Sequence, residues 1–218
     1  IPDRRGFGEL QTAPRFVTPS CGAFPKDGRL DLERNALSTL GLPLRALQVF
    51  DLMVAVDWLS SNPDVISIGS AGISGGGVVL SYLAAMDQRI EAVVMASAMS
   101  IPPSTDSEGA PSFPSPPDTV YEHLRLIGYP RPQQLASLAD NLNLVLASLL
   151  PPRPLLLQYG ESDQVNWLRG GSAAVDYMSE IYRKLDAENR LELDLQPGGH
   201  EFFPGPVVSF FKRALPSQ

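Results

Sequence analysis

Residues 65–86 constrain the fold more than any other stretch of the chain. Val65-Ile66-Ser67-Ile68 has the β-branched character of a strand, and Val78 to Met86 has the apolar spacing of a helix, with Val79, Leu80, Leu83 and Ala84 inward. Between them lies a run of small residues, Gly72 to Gly77, that reads as a tight turn. A strand that feeds a helix with almost no connecting loop belongs to a layered arrangement of strands and helices, not to a β-sandwich or a helical bundle.

The rest of the chain repeats that alternation. A broad apolar face recurs from about Leu44 to Leu59, as on a helix, and Asn62-Pro63-Asp64 ends it. Strands are expected at Ile90–Met95, at Leu155–Tyr159 after Pro151-Pro152-Arg153-Pro154, and at Leu191–Gln196, where apolar and polar residues alternate. Helices are expected at Ala173–Leu185 and Val207–Leu215. The fold class is therefore α/β: a parallel sheet with helices on both faces, read as a single domain over 1–218. Residues 1–42 are rich in Gly, Pro and polar residues and read as irregular. Residues 101–118 are rich in Pro and Ser, and helices are expected near Asp118–Ile127 and Pro132–Leu150. Residues 101–118 read as a solvated loop or as part of a lid or rim over a pocket, and residues 100–150 as a lid or cap insertion.

Gly72-Ile73-Ser74-Gly75-Gly76 fits the Gly-x-Ser-x-Gly pattern of a nucleophile turn. The pattern alone is weak, but here it leaves a strand and opens a helix, as such a turn requires. Ser74 then projects from the C-terminal edge of the sheet. The N–H of Gly75 lies at a helix N-terminus, where negative charge is favoured, so Gly75 is a candidate oxyanion donor. A serine needs a base. The chain has two histidines. His200 follows the strand Leu191–Gln196 through Pro197-Gly198-Gly199, whereas His123 falls in the lid region and reads as a surface residue. The acid follows another strand end, in Tyr159-Gly160-Glu161-Ser162-Asp163. Asp163 is the choice and Glu161 the rival. The candidate catalytic residues are Ser74, Asp163 and His200, in the chain order Ser, Asp, His.

Bulk composition removes other classes. A formal net charge of -7 leaves no excess of cations for a nucleic-acid backbone or an anionic membrane. No apolar run reaches the ~20 residues that span a bilayer. Two histidines exclude a His-rich metal site, and the triad chemistry calls for no metal and no organic cofactor. Cys21, the one cysteine, reads as a free or partly buried thiol.

The sequence resembles the acetyl xylan esterase and dienelactone hydrolase-like branch of the α/β-hydrolase superfamily, from about Leu44 to Leu215. The resemblance lies in Asp51–Leu59, Ile68–Gly77, Ala84–Ile90, Pro152–Asp163 and Gly198-Gly199-His200-Glu201-Phe202. It implies Ser74 as nucleophile, Asp163 as acid, His200 as base and Gly75 as one oxyanion donor. It implies a serine esterase that releases small acyl groups, such as acetate, from a carbohydrate or another small-molecule ester. Peptidase and thioesterase activity remain alternatives.

Asp3–Glu9 is similar to the segment that follows the family's fourth strand. The resemblance therefore implies that the N-terminal strands, including the turn carrying a second oxyanion donor, are absent from this chain. Two expectations follow. A self-association or an N-terminal segment covers the edge of the Val65–Ile68 strand, and, as the alternative to an independent esterase, the chain is the catalytically incomplete C-terminal half of such a hydrolase that needs another segment or chain.

Overall fold

The structure is a computed structural model that describes residues 44–101 and 146–216. The chain divides into two compact units, Ile1–Val65 and Ile66–Gln218. In the first, the described element is helix α1, Leu44–Ser60. It starts where the apolar spacing predicts, and Ser61 closes it by turning its hydroxyl onto the Trp58 carbonyl at 2.7 Å.

The second unit alternates strand and helix: β1 (Ile68–Ile73), α2 (Gly75–Met86), β2 (Ile90–Ala96), β3 (Leu155–Gly160), α3 (Gly171–Lys184), β4 (Leu191–Gln196) and α4 (Pro204–Ala214). The four strands lie side by side in chain order and every neighbouring pair is parallel. The parallel sheet of the sequence reading is therefore present. Successive side chains along a strand point to opposite faces. One face carries Ala92, Val94 and Leu156, which form a buried cluster with Val207 and Phe210 of α4. On the other, Tyr159 meets the start of α3, where a Cβ on Gly171 would lie 3.3 Å from its ring. Helices thus cover both faces, and α2 packs along β1 and β2.

Every residue of β3 is buried, as the inner strand of a sheet covered twice must be. Each Leu at 155, 156 and 157 contributes about 1.5–3 kcal/mol by leaving water. Arg153 joins the elements beneath. Its guanidinium donates to the carbonyls of Ala84 at 2.7 Å, Ile90 at 2.9 Å, Asp87 at 3.4 Å and Leu150 at 3.2 Å. Those groups close α2, open β2 and precede β3, so one cation fastens three elements where they meet.

Element boundaries differ from the sequence reading in instructive places. The strand expected at Val65–Ile68 begins at Ile68 and runs to Ile73, through small residues that carry little β-propensity. Pairing with β2 from Ile68↔Ile90 to Ile73↔Ala96 extends it despite that. Helix α2 begins at Gly75, three residues before the expected Val78, so the turn shrinks to Ser74 alone. Helix α4 begins at Pro204, where a proline at the first turn sacrifices no hydrogen bond. β1 has one neighbour among the described residues. The segment expected to cover its other edge, the irregular residues 1–42, Cys21, His123, and nearly all of the lid region with its two helices lie outside the described residues. No helix among the described residues is long and apolar enough to cross a membrane.

Candidate active site

Ser74 occupies a backbone conformation that L-residues rarely adopt, with φ 53° and ψ −124°. Such a residue costs about 1–3 kcal/mol and persists only where its surroundings hold it. Two hydrogen bonds do so. The Ser74 N–H donates to the Ala96 carbonyl at 2.8 Å, and the Ser74 carbonyl accepts from the Val78 N–H at 3.0 Å. The chain thus passes from β1 into α2 in one residue, and Gly75 becomes the first residue of the helix. The first N–H groups of a helix have no partner within it, which suits the N–H of Gly75 to an anionic oxygen.

The crowding that makes such a turn need glycine falls at Gly72, where a Cβ would lie 2.8 Å from the Gly76 carbonyl carbon, and at Gly77. A Cβ on Gly77 would lie 2.5 Å from the Ala98 Cβ and 2.9 Å from the Gly72 carbonyl oxygen, whereas a Cβ on Gly76 would meet nothing within 4 Å. The pattern's last glycine is therefore not the one that sterics require.

The acid and base stand on neighbouring strand ends. Asp163 is fully buried in the turn after β3. His200 sits on the loop after β4, with its ring Nδ1 3.2 Å from both Asp163 carboxylate oxygens. A proton on Nδ1 facing the carboxylate leaves Nε2 as the basic nitrogen. Glu161, the rival acid, is exposed, and its backbone N–H is bonded to the Gln196 carbonyl at 2.8 Å. Three hydrogen bonds tie the strand ends together: Ser74 N–H to Ala96, Ser97 N–H to Gln158 at 2.7 Å, and Glu161 N–H to Gln196. Ser74, Asp163 and His200 accordingly lie along one edge of the sheet, the edge where ligands of open parallel sheets bind.

Asp163 is held charged. Burial pushes its carboxyl up, but this is outweighed by the nearby Ser97 hydroxyl, the Val165 N–H, the His200 ring and the Asn166 N–H, so the net shift is downward. The Val165 and Asn166 N–H groups donate to Oδ1 at 2.8 and 3.1 Å. The Ser97 hydroxyl favours the charged form by proximity, since it makes no hydrogen bond of good geometry. The carboxylate is thereby ionised at neutral pH.

Three supporting residues were not singled out in the sequence. Ser97 follows β2 with φ 44°, and its carbonyl accepts from the Asn166 side-chain amide at 2.6 Å. Asn166 thus holds Asp163 with one group and Ser97 with another. Gln158 is fully buried between Leu157 and Tyr159. A lone amide in an apolar strand is a visible signal, but its partners, on β4 and the loop beyond, are distant in sequence.

By sequence, no protein-family model and no curated protein matches the chain. Its fold is shared with solved structures. It is similar to "Methylesterase BT1017" with a TM-score of 0.53 and 21% identity, over 78% of this chain and 35% of that one. It is similar to a glucuronoyl esterase from Solibacter usitatus with a TM-score of 0.57 and 14% identity, over 79% of this chain and 49% of that one. The chain thus spans between a third and a half of the length of these structures. The likeness places its described elements in the α/β-hydrolase fold.

Proposed function

We propose that the chain is a carboxylic ester hydrolase working through an acyl-enzyme on Ser74. The observation that carries this reading is the Asp163–His200 pair, at 3.2 Å, on the same sheet edge as a serine held in a strained strand-to-helix turn. Ser74 Oγ attacks the ester carbonyl as His200 Nε2 takes its proton. The carbonyl oxygen becomes anionic and is met by the Gly75 N–H. His200 returns the proton to the departing alcohol, leaving Ser74 acylated. A water molecule, deprotonated by His200, then attacks the acyl carbon and releases the acid and Ser74. Asp163 keeps the imidazole oriented and stabilises its charged form. None of these steps needs a metal or an organic cofactor.

The substrates that fit the family resemblance are small acyl esters, such as acetates, of a carbohydrate or similar alcohol. The two similar structures named above are esterases by their names, which supports the ester class. A panel of p-nitrophenyl esters, thioesters and peptide anilides separates this reading from thioesterase or peptidase activity. Turnover of p-nitrophenyl acetate by the wild type, lost in Ser74→Ala, is the expected outcome. Equal turnover by both proteins would refute it.

A further inference from the structure

Gln158 is buried in the middle of β3, between side chains that are apolar or aromatic, and every part of its amide is engaged. Its Oε1 accepts from the Phe203 N–H at 2.9 Å, and its Nε2 donates to the Phe203 carbonyl at 2.9 Å and to Asp194 Oδ2 at 2.8 Å. One side chain therefore grips both the N–H and the C=O of a single residue, in the manner of a strand partner. Phe203 lies three residues beyond His200 and is the last residue before α4.

The other end of the same loop is fixed too. The Ser162 N–H donates to the Gly198 carbonyl at 2.8 Å. Gly160 approaches Gly199 so closely that a Cβ on Gly160 would collide with the Gly199 carbonyl oxygen. His200 is thus carried on a short bridge whose near end is pinned by the turn after β3 and whose far end is pinned by Gln158. The backbone carbonyl of Gln158 also accepts from the Ser97 N–H at 2.7 Å, and the Ser97 carbonyl holds Asn166, which donates to Asp163. Gln158 touches neither the acid nor the base, yet it stands at the junction of the two hydrogen-bond paths that place them.

We infer that Gln158 is a positioning residue that fixes the His200 loop against the Asp163 turn. The kinetic part of this inference rests on the ester-hydrolase reading; the structural part does not. An imidazole displaced by about 1 Å can cost on the order of 10²-fold in rate without altering substrate affinity.

Two variants test it. Gln158→Met keeps the length and burial of the side chain but makes none of its bonds. Gln158→Glu keeps an acceptor for the Phe203 N–H. For Gln158→Met, kcat on p-nitrophenyl acetate, per active site titrated with a fluorophosphonate, is expected to fall about 10- to 100-fold with KM within about twofold. Amide hydrogen exchange across 197–203 is expected to accelerate. Gln158→Glu is expected to be at least as impaired as Gln158→Met in both readouts, because its second oxygen replaces the donor that faces the Phe203 carbonyl and Asp194 Oδ2. A Gln158→Met protein with lower stability but unchanged kcat and unchanged exchange at 197–203 would overturn the inference. If Gln158→Met does not fold, Gln158→Glu decides alone: reduced kcat at constant KM supports positioning and unchanged kcat overturns it. If the wild type shows no esterase turnover, the proposed activity fails, while the exchange comparison still supports or overturns the anchoring of the loop.

Discussion

At Asp163, burial alone would favour the neutral carboxylic acid, yet the carboxyl ends below its ordinary value because hydrogen bonding to the charged form is stronger than the desolvation opposing it. A carboxyl with a depressed folded-state pKa adds stability above its unfolded pKa, near 3.9, and loses that contribution as pH falls through the lower folded value. The Asp163 contribution should therefore be present at neutral pH and be lost progressively as pH falls below about 4. Urea midpoints of the wild type and Asp163→Asn, compared at pH 7 and at pH 3, check this: the gap is expected to shrink on acidification. At neutral pH Asp163→Asn is expected to lower kcat by about 10³–10⁴-fold, as removal of the orienting charge does in comparable triads. Gly77→Ala is expected to destabilise the protein by about 1–3 kcal/mol, measured by urea unfolding, because its new methyl meets the Ala98 Cβ at 2.5 Å. Gly76→Ala, with open space around it, should cost less.

Ser74, Asp163 and His200 could be proposed from the sequence because each combines a reactive side chain with a strand-end position. Gln158, Ser97 and Asn166 could not. Their long-range partners are 36 to 69 residues away, which no local pattern records. The choice of Asp163 over Glu161 gains its physical reason in the fold, where two residues of turn decide which carboxyl is buried against the imidazole.

Among the elements, strands β2, β3 and β4 and helix α1 lie close to where periodicity places them, since an apolar run or alternation survives in each. β1 is the instructive exception. Gly69, Ser70 and Ala71 do not look like a strand, and they become one because β2 offers a ladder of backbone partners. The start of α2 was misjudged for a related reason. Three consecutive glycines read as a turn, whereas here they form the first turn of a helix, whose dipole then faces the serine. In β4 the alternation was visible but not its setting: Leu193 is 48% exposed, while Asp194 bonds the buried amide of Gln158. Arg153 is the element-scale fastener. Arg153→Met would leave four backbone carbonyls without its donors, and a loss of about 2–4 kcal/mol in urea unfolding is expected. A loss under about 0.5 kcal/mol would show that solvent replaces the guanidinium without penalty.

Across the whole second unit, one parallel sheet determines both stability and site geometry. Its inner strands β2 and β3 carry most of the sheet's own buried apolar residues, and their C-terminal ends place Ser97 and the Asp163 turn between the serine and the histidine. The α/β order was readable because strand and helix patterns alternate along the chain. The other edge of β1 was not readable, and β1 has one neighbour among the described residues. Leu156, 1% exposed against Val207 and Phe210, links the sheet to α4. Leu156→Ala should therefore cost about 2–5 kcal/mol. The proposed chemistry itself is tested most directly by treating the protein with a fluorophosphonate and locating the adduct by intact mass and peptide mapping. A single phosphonyl group on Ser74, absent from Ser74→Ala and formed far more slowly in His200→Ala, is the expected result. An adduct elsewhere, or equal labelling of Ser74→Ala and the wild type, would contradict it.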